Sequence, residues 1–290
     1  MDYSFHMESN PHPSPRDAAE QLRSYDGVRA KVPGPPRAFL LLGLWAAVIL
    51  AVYVGVFLLS LGGRPLNAAA PGPVYFSYVT IILFPVLVFS SVVAGARERF
   101  GIRTKPTLRY RIAYVLVCAG FITLGWLSIA GVPYPWGLNL LLPLLLFLTM
   151  AAGPIRQLLR KSATGQAAWI NKPLSRPARW STAAIGAVSG LLVGTAASPQ
   201  WFSIVSLAVT LALVVVLIGW RARWGLPWTG YEWGPIHWIA FGISTSVLFL
   251  VFLLLSRTDL VTLPISIAAG GFVLLVMLTA SFLPARPRRG

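Results

Sequence analysis

The sequence predicts an all-α fold: a polytopic membrane helical bundle of eight transmembrane helices, with N- and C-termini cytoplasmic. Three observations predict it. The 290 residues are 56% hydrophobic and 11% charged, under half the charged share of about 25% in ordinary soluble domains. Eight apolar stretches, uncharged in their interiors, meet or nearly meet the roughly 20 residues that a helix needs to cross about 30 Å of hydrocarbon. The loops between them carry their positive charge almost entirely on one side. The runs are continuous, without the period-two alternation of a membrane β-barrel, so helices are expected.

The chain divides into a cytoplasmic N-terminal segment at 1–36, a transmembrane domain at 37–283 and a basic cytoplasmic tail at 284–290. The first segment opens with a tract around Pro11, Pro13 and Pro15 that is expected to be disordered. A short amphipathic helix over 14–31 follows, with Ser14 as N-cap, Pro15 at the first helical position and Asp17 three residues after the cap. Ala18, Leu22, Tyr25 and Val28 recur at helical spacing and make one apolar stripe. So narrow a stripe on a short helix is marginal alone in water. It must lie either on the inner loops and headgroups of its own protein or on a cytoplasmic protein partner. The polar, proline-rich stretch before the first span is not a secretory signal, and that span is longer than an h-region of about 7–15 residues. It is expected to act as an uncleaved signal anchor.

The spans read as 37–61, 74–95, 111–131, 137–152, 181–197, 201–220, 236–256 and 264–283, the fourth and fifth being short. Pro85, Phe89, Ala94 and Gly95 in the second correspond, at an offset of 58 residues, to Pro143, Phe147, Ala152 and Gly153 in the fourth. Ser91 faces Thr149 in that alignment. Both spans would run the same way, so this weak repeat would be a duplicated hairpin rather than the inverted repeat of many transporters. The third span holds Cys118, the single cysteine, which excludes a disulfide within the chain and is expected to be a small buried hydrophobe. Gly137, Asn139 and Pro143 in the fourth span, with Pro85 in the second, mark interrupted backbone bonding. The fifth carries Gly186, Gly190 and Gly194 at four-residue spacing, a face for close helix packing, within the chain or in a homo-oligomer.

The loop between the sixth and seventh spans concentrates Arg221, Arg223, Trp224, Trp228, Glu232, Trp233 and His237, and five of the 11 tryptophans fall between Trp220 and Trp238. Pro227, Gly230, Gly234 and Pro235 forbid one continuous helix there. An interfacial anchor is expected, with indoles at headgroup level and arginines on lipid phosphate. The sharper alternative makes Glu232 and His237 an acid and base pair, or a polar gate beneath an aromatic lid.

Placing the N-terminus inside puts 22 of the 24 basic residues in the cytoplasm, leaving Arg64 and Arg257 outside. The formal charge of +16 is spread over five short membrane-flanking segments. It therefore reads as topology determinants that touch anionic lipid headgroups, and nucleic acid is not an expected partner. The outer loops are too short for a folded domain, so a protein partner must meet the cytoplasmic face.

No ionisable residue lies deep in any span, which argues against ion-coupled transport and intramembrane metalloprotease chemistry. Asp259 is the only Asp after residue 26, so clustered aspartates for Mg²⁺-diphosphate are missing, as is a Walker A loop. No catalytic residue, cofactor or metal site is expected. The reading is a multi-pass membrane regulator or assembly protein holding a cytoplasmic partner, of which a membrane-bound anti-sigma factor is one example. The alternative is a permease or export subunit of a transporter complex, and the third reading is an intramembrane lipid-modifying enzyme. Arginine outnumbers lysine 20 to 4 amid much Ala, Gly and Pro, which suggests a bacterial, high-GC source and the inner membrane.

Overall fold

Long runs of Leu, Val, Ile, Phe and Ala, broken by Gly and Pro at the turns, fold into helices throughout a computed structural model that describes residues 37–61, 72–100, 108–159, 169–170, 173–218, 225–284 and 286–287. In chain order these are α1 (Arg37–Leu61), α2 (Gly72–Phe100), α3 (Leu108–Ile129), α4 (Leu138–Leu159), α5 (Arg176–Thr195), α6 (Pro199–Ile218), α7 (Leu226–Glu232), α8 (Pro235–Arg257) and α9 (Leu263–Phe282). The two-residue strand β1 (Trp169–Ile170) pairs antiparallel with β2 (Arg286–Pro287), which ties the chain after α9 to the loop before α5.

Five segments are long and apolar enough to cross a membrane: Phe39–Ser60, Leu138–Leu159, Pro199–Val216, Pro235–Arg257 and Leu263–Phe282. They mark the chain as a membrane protein. In α3 the apolar helix is the shorter Ile112–Ser128. α5 begins with Arg176 and Arg179 and is rich in Gly, Ala, Ser and Thr, which lowers its hydropathy. The fourth and fifth spans are not short as helices. α4 has 22 residues and α5 has 20, about 30 Å or more at 1.5 Å per residue. An apolar run ends at Arg or Pro, whereas the backbone ladder continues past both.

Inside the helices many hydroxyl side chains turn back on their own backbone. Ser91 donates to the Leu87 carbonyl, Thr123 to Ala119, Thr210 to Ser206 and Ser256 to Leu253. Such bonds satisfy hydroxyls where water is absent. The core is aliphatic and aromatic: Phe89 lies against Trp238 and Phe241, Tyr53 against Phe249, and Phe202 against Phe252.

Prolines and glycines set two of the helix pairings. α1 packs on α4 with Gly43 against Pro154 and Gly55 against Pro143, so the two run antiparallel. Each proline ring lies where the partner helix has no Cβ. α5 packs along α9, also antiparallel. Arg257, at the end of α8, donates from Nε (2.6 Å) and a terminal nitrogen to the Leu59 carbonyl, one of the last carbonyls of α1, which lack a partner within the helix.

Cys118 is exposed on the outer face of α3, beside exposed Val115, Leu116 and Ile122, and is not buried as expected. Burial statistics drawn from soluble proteins reverse here, since an outward thiol in an apolar span meets hydrocarbon rather than water.

Candidate functional site

The polar centre of the described residues lies where α7 meets the starts of α5 and α8. α7 is short because its sequence allows little more: Pro227 sits in its first turn, and Trp233, Gly234 and Pro235 end it and begin α8. It lies against the last turns of α2. A Cβ on Gly95 would fall on the Pro227 carbonyl, and one on Gly230 would fall on the Val92 carbonyl. Each glycine thus presents its α-carbon to a carbonyl of the other helix, the close approach of paired Cα–H···O contacts.

Glu232, the last residue of α7, is the one buried acid among the described residues. Its Oε2 accepts the Ser175 backbone N–H at 2.8 Å. Ser175 is the N-cap of α5, and its Oγ accepts the Ala178 N–H at 3.4 Å. In a local capping box a Glu three residues after the cap would take the N-cap N–H. That position is Ala178, so Glu232 completes the box from 57 residues away. A carboxylate there also meets the positive end of the α5 dipole.

Trp233 is fully buried and donates from Nε1 to Thr182 Oγ1 at 2.8 Å, while the Thr182 hydroxyl donates to the Ala178 carbonyl at 2.7 Å. Two consecutive residues therefore hold the first two turns of α5. The Trp233 ring stacks on His237 (centroids 6.2 Å, 23°) and meets Trp238 edge-on at 5.2 Å.

His237 is also fully buried. The Gly234 N–H donates to its Nδ1 at 3.3 Å, so in the neutral ring the proton resides on Nε2. The Ala280 backbone acts on the ring from α9 as a hydrogen-bond partner. Glu232 and His237 thus serve different ends: the carboxylate turns to the start of α5, and the imidazole caps α8 beneath Trp233.

The loop between the sixth and seventh spans accordingly divides. Trp228 is exposed and stacks on Tyr231 at 5.9 Å, as an anchor would, whereas Glu232, Trp233 and His237 lie in the protein core. Arg221, Arg223 and Trp224 lie outside the described residues, as do Ala18, Leu22, Tyr25 and Val28.

Gly186, Gly190 and Gly194 face α9 of the same chain. A Cβ on Gly186 would strike Met277, one on Gly190 would strike the Gly270 carbonyl and Leu274, and Gly194 lies beside Gly270 and Ile267. Ser266 adds a hydrogen bond from its hydroxyl to the Val193 carbonyl.

At the far end of α3, Ser128, Tyr134 and Asn139 form a chain in which Tyr134 donates to Asn139 Oδ1 at 2.9 Å and takes the Ser128 hydroxyl at 2.6 Å. It staples the α3–α4 turn. Asn139, read from the sequence as a mark of interrupted bonding, is buried in that staple.

Sequence reasoning passed over Ser175, and it took Gly95 only as part of a repeat and Gly230 only as a helix breaker. Ser175 carried a signal: a Ser-Arg-Pro start without an acid at the third helical position implies that the acid comes from elsewhere in the fold. Among the described residues no group of three or more His, Cys, Asp or Glu side chains comes together to hold a metal ion. In comparisons with family models, curated proteins and solved structures, nothing matches this chain.

Proposed function

We propose that the chain is a non-catalytic, eight-span membrane protein that holds a cytoplasmic partner through its N-terminal segment and basic inner loops. A membrane-bound regulator or assembly protein of the anti-sigma-factor kind is one example of this type. One observation carries the reading: Glu232, the buried carboxylate of the polar centre, is engaged with the N-terminus of α5. Trp233 is engaged with Thr182 in the same way. A carboxylate that accepts a helix-terminal N–H stabilises packing and is turned away from proton chemistry.

In this reading α1 to α6, α8 and α9 are the eight spans and α7 is a half-buried insert. The antiparallel pairs α1 with α4 and α5 with α9 suit alternate crossings. The charge asymmetry puts both termini inside. Arg257, one of two basic residues then left outside, is accounted for by its bond to the end of α1. Arginine-rich coding favours a bacterial inner membrane.

Complementation tests the proposal. A chain lacking residues 1–31 is expected to insert normally and to fail to restore the phenotype of a deletion strain. Full restoration by the truncated chain would refute it.

A permease or export subunit is the second reading, favoured by Pro85, Pro143 and Pro154 inside helices and by the break between α7 and α8 at a buried polar centre. Co-purification with an ATPase, or accumulation of a solute in the deletion strain, would decide for it.

A further inference from the structure

We propose that the start of α5 and the end of α9 form a phospholipid site in which Arg179, with Arg176 beside it, binds the lipid phosphate. The Arg179 guanidinium carbon lies 5.4 Å from the centre of the Phe282 ring. Its Nε is buried and has no hydrogen-bond partner among the described residues. A cation over an aromatic face gains less than the hydration that burial removes. A counter-anion at the terminal nitrogens would offset that loss.

The described residues offer little to supply it. Three acids are described, of which Glu98 and Asp259 are exposed and Glu232 has its Oε2 on the Ser175 N–H. Arg176 is exposed three residues before Arg179, so both cations lie on neighbouring turns of one helix face. Two guanidinium groups at that spacing suit the oxygens of a single phosphate, which arginine binds with paired donors.

The walls indicate a lipid rather than a free phosphate. Trp180 is 74% exposed and Phe282 is 62% exposed, and both stand at the same end of the α5–α9 pair as the two arginines. Exposed rings beside a cation pair give a surface that is apolar toward the chains and cationic toward the headgroup, the arrangement that interfacial aromatics provide.

The test uses the purified full chain in a neutral detergent, titrated separately with phosphatidylglycerol, phosphatidylcholine and inorganic phosphate while bound lipid is read by native mass spectrometry. Phosphatidylglycerol is expected to bind most tightly, inorganic phosphate not detectably, and Arg179→Gln to weaken phosphatidylglycerol about fivefold, the effect of one basic residue at a charged membrane surface. Phe282→Leu, which removes the ring but keeps the charge, is expected to weaken it less. Unchanged phosphatidylglycerol affinity in Arg179→Gln would overturn the proposal and leave the end of α9 as the countercharge. Equal binding of phosphatidylcholine or of inorganic phosphate would overturn it as well. Should Arg179→Gln fail to fold, Arg176→Gln carries the same expectation, and unchanged affinity there is equally decisive.

Discussion

Glu232 is the side chain on which a catalytic and a structural reading part. Its bond to the Ser175 N–H is charge-assisted and part-buried, so Glu232→Ala is expected to cost about 1.5–3 kcal/mol. Glu232→Gln keeps an acceptor oxygen and should cost less, in thermal or denaturant unfolding of the purified protein. Equal losses for the two variants would mean that a neutral acceptor oxygen contributes nothing there and that the charge carries the whole effect. The Glu232→Gln, His237→Asn double variant is expected to keep its phenotype in a complementation assay, and loss of function with the fold intact would restore the acid and base reading. Composition alone exposed this cluster, because acids are few and Trp crowds around this one. Its roles were hidden, since Ser175 and Thr182 lie more than fifty residues away in the chain. Only the packing of α7 brings them within reach. Arg257 is a similar case: a basic residue on the wrong side of the charge pattern, accounted for once the α1 carbonyls came into view.

At the scale of elements, the pairing of α5 with α9 depends on glycine at the point of closest approach. A methyl group on Gly270 would press on the Gly190 carbonyl and on Gly194, whereas nothing stands within 4 Å of a Cβ on Gly271. Gly270→Ala is therefore expected to lose about 1–3 kcal/mol by overpacking, and Gly271→Ala to stay near wild type, in the same unfolding assay. Comparable losses at both positions would contradict this contact. The four-residue glycine row of α5 was visible in the sequence as a packing face, but its partner was not, because a small-residue stripe fits any helix that can approach. Helix ends were legible only roughly. Apolar runs mark where hydrocarbon solvation begins, and the helices continue beyond them: α5 starts five residues before its apolar run, at a Ser cap followed by Arg-Pro. The α7 insert escaped periodicity altogether, since a helix of seven residues gives too little pattern to read.

For the whole molecule, the positive-inside pattern predicts an orientation with both termini inside, and the arrangement of helices accommodates either sense. With Cys118 replaced by Ala, single cysteines at Gln21, Lys161 and Arg288 are expected to react with a membrane-impermeant maleimide only after the cells are opened. Cysteines at Ala69 and Leu260 are expected to react in intact cells. Labelling of either inner set from outside would invert or break the eight-span order. Membrane character was legible because the bilayer imposes long apolar runs on any chain that crosses it, and five of the eight runs recur as helices long and apolar enough to cross. Function was not legible in this way, because the proposed recognition of a partner calls on a short amphipathic segment and on no catalytic constellation. In-cell photo-crosslinking from that segment tests the proposal most directly. A photoreactive residue at Leu22 or Tyr25 should capture a cytoplasmic protein while one at Gln21 or Arg23 does not, and crosslinks from all four positions to lipid or to the chain itself alone would contradict it.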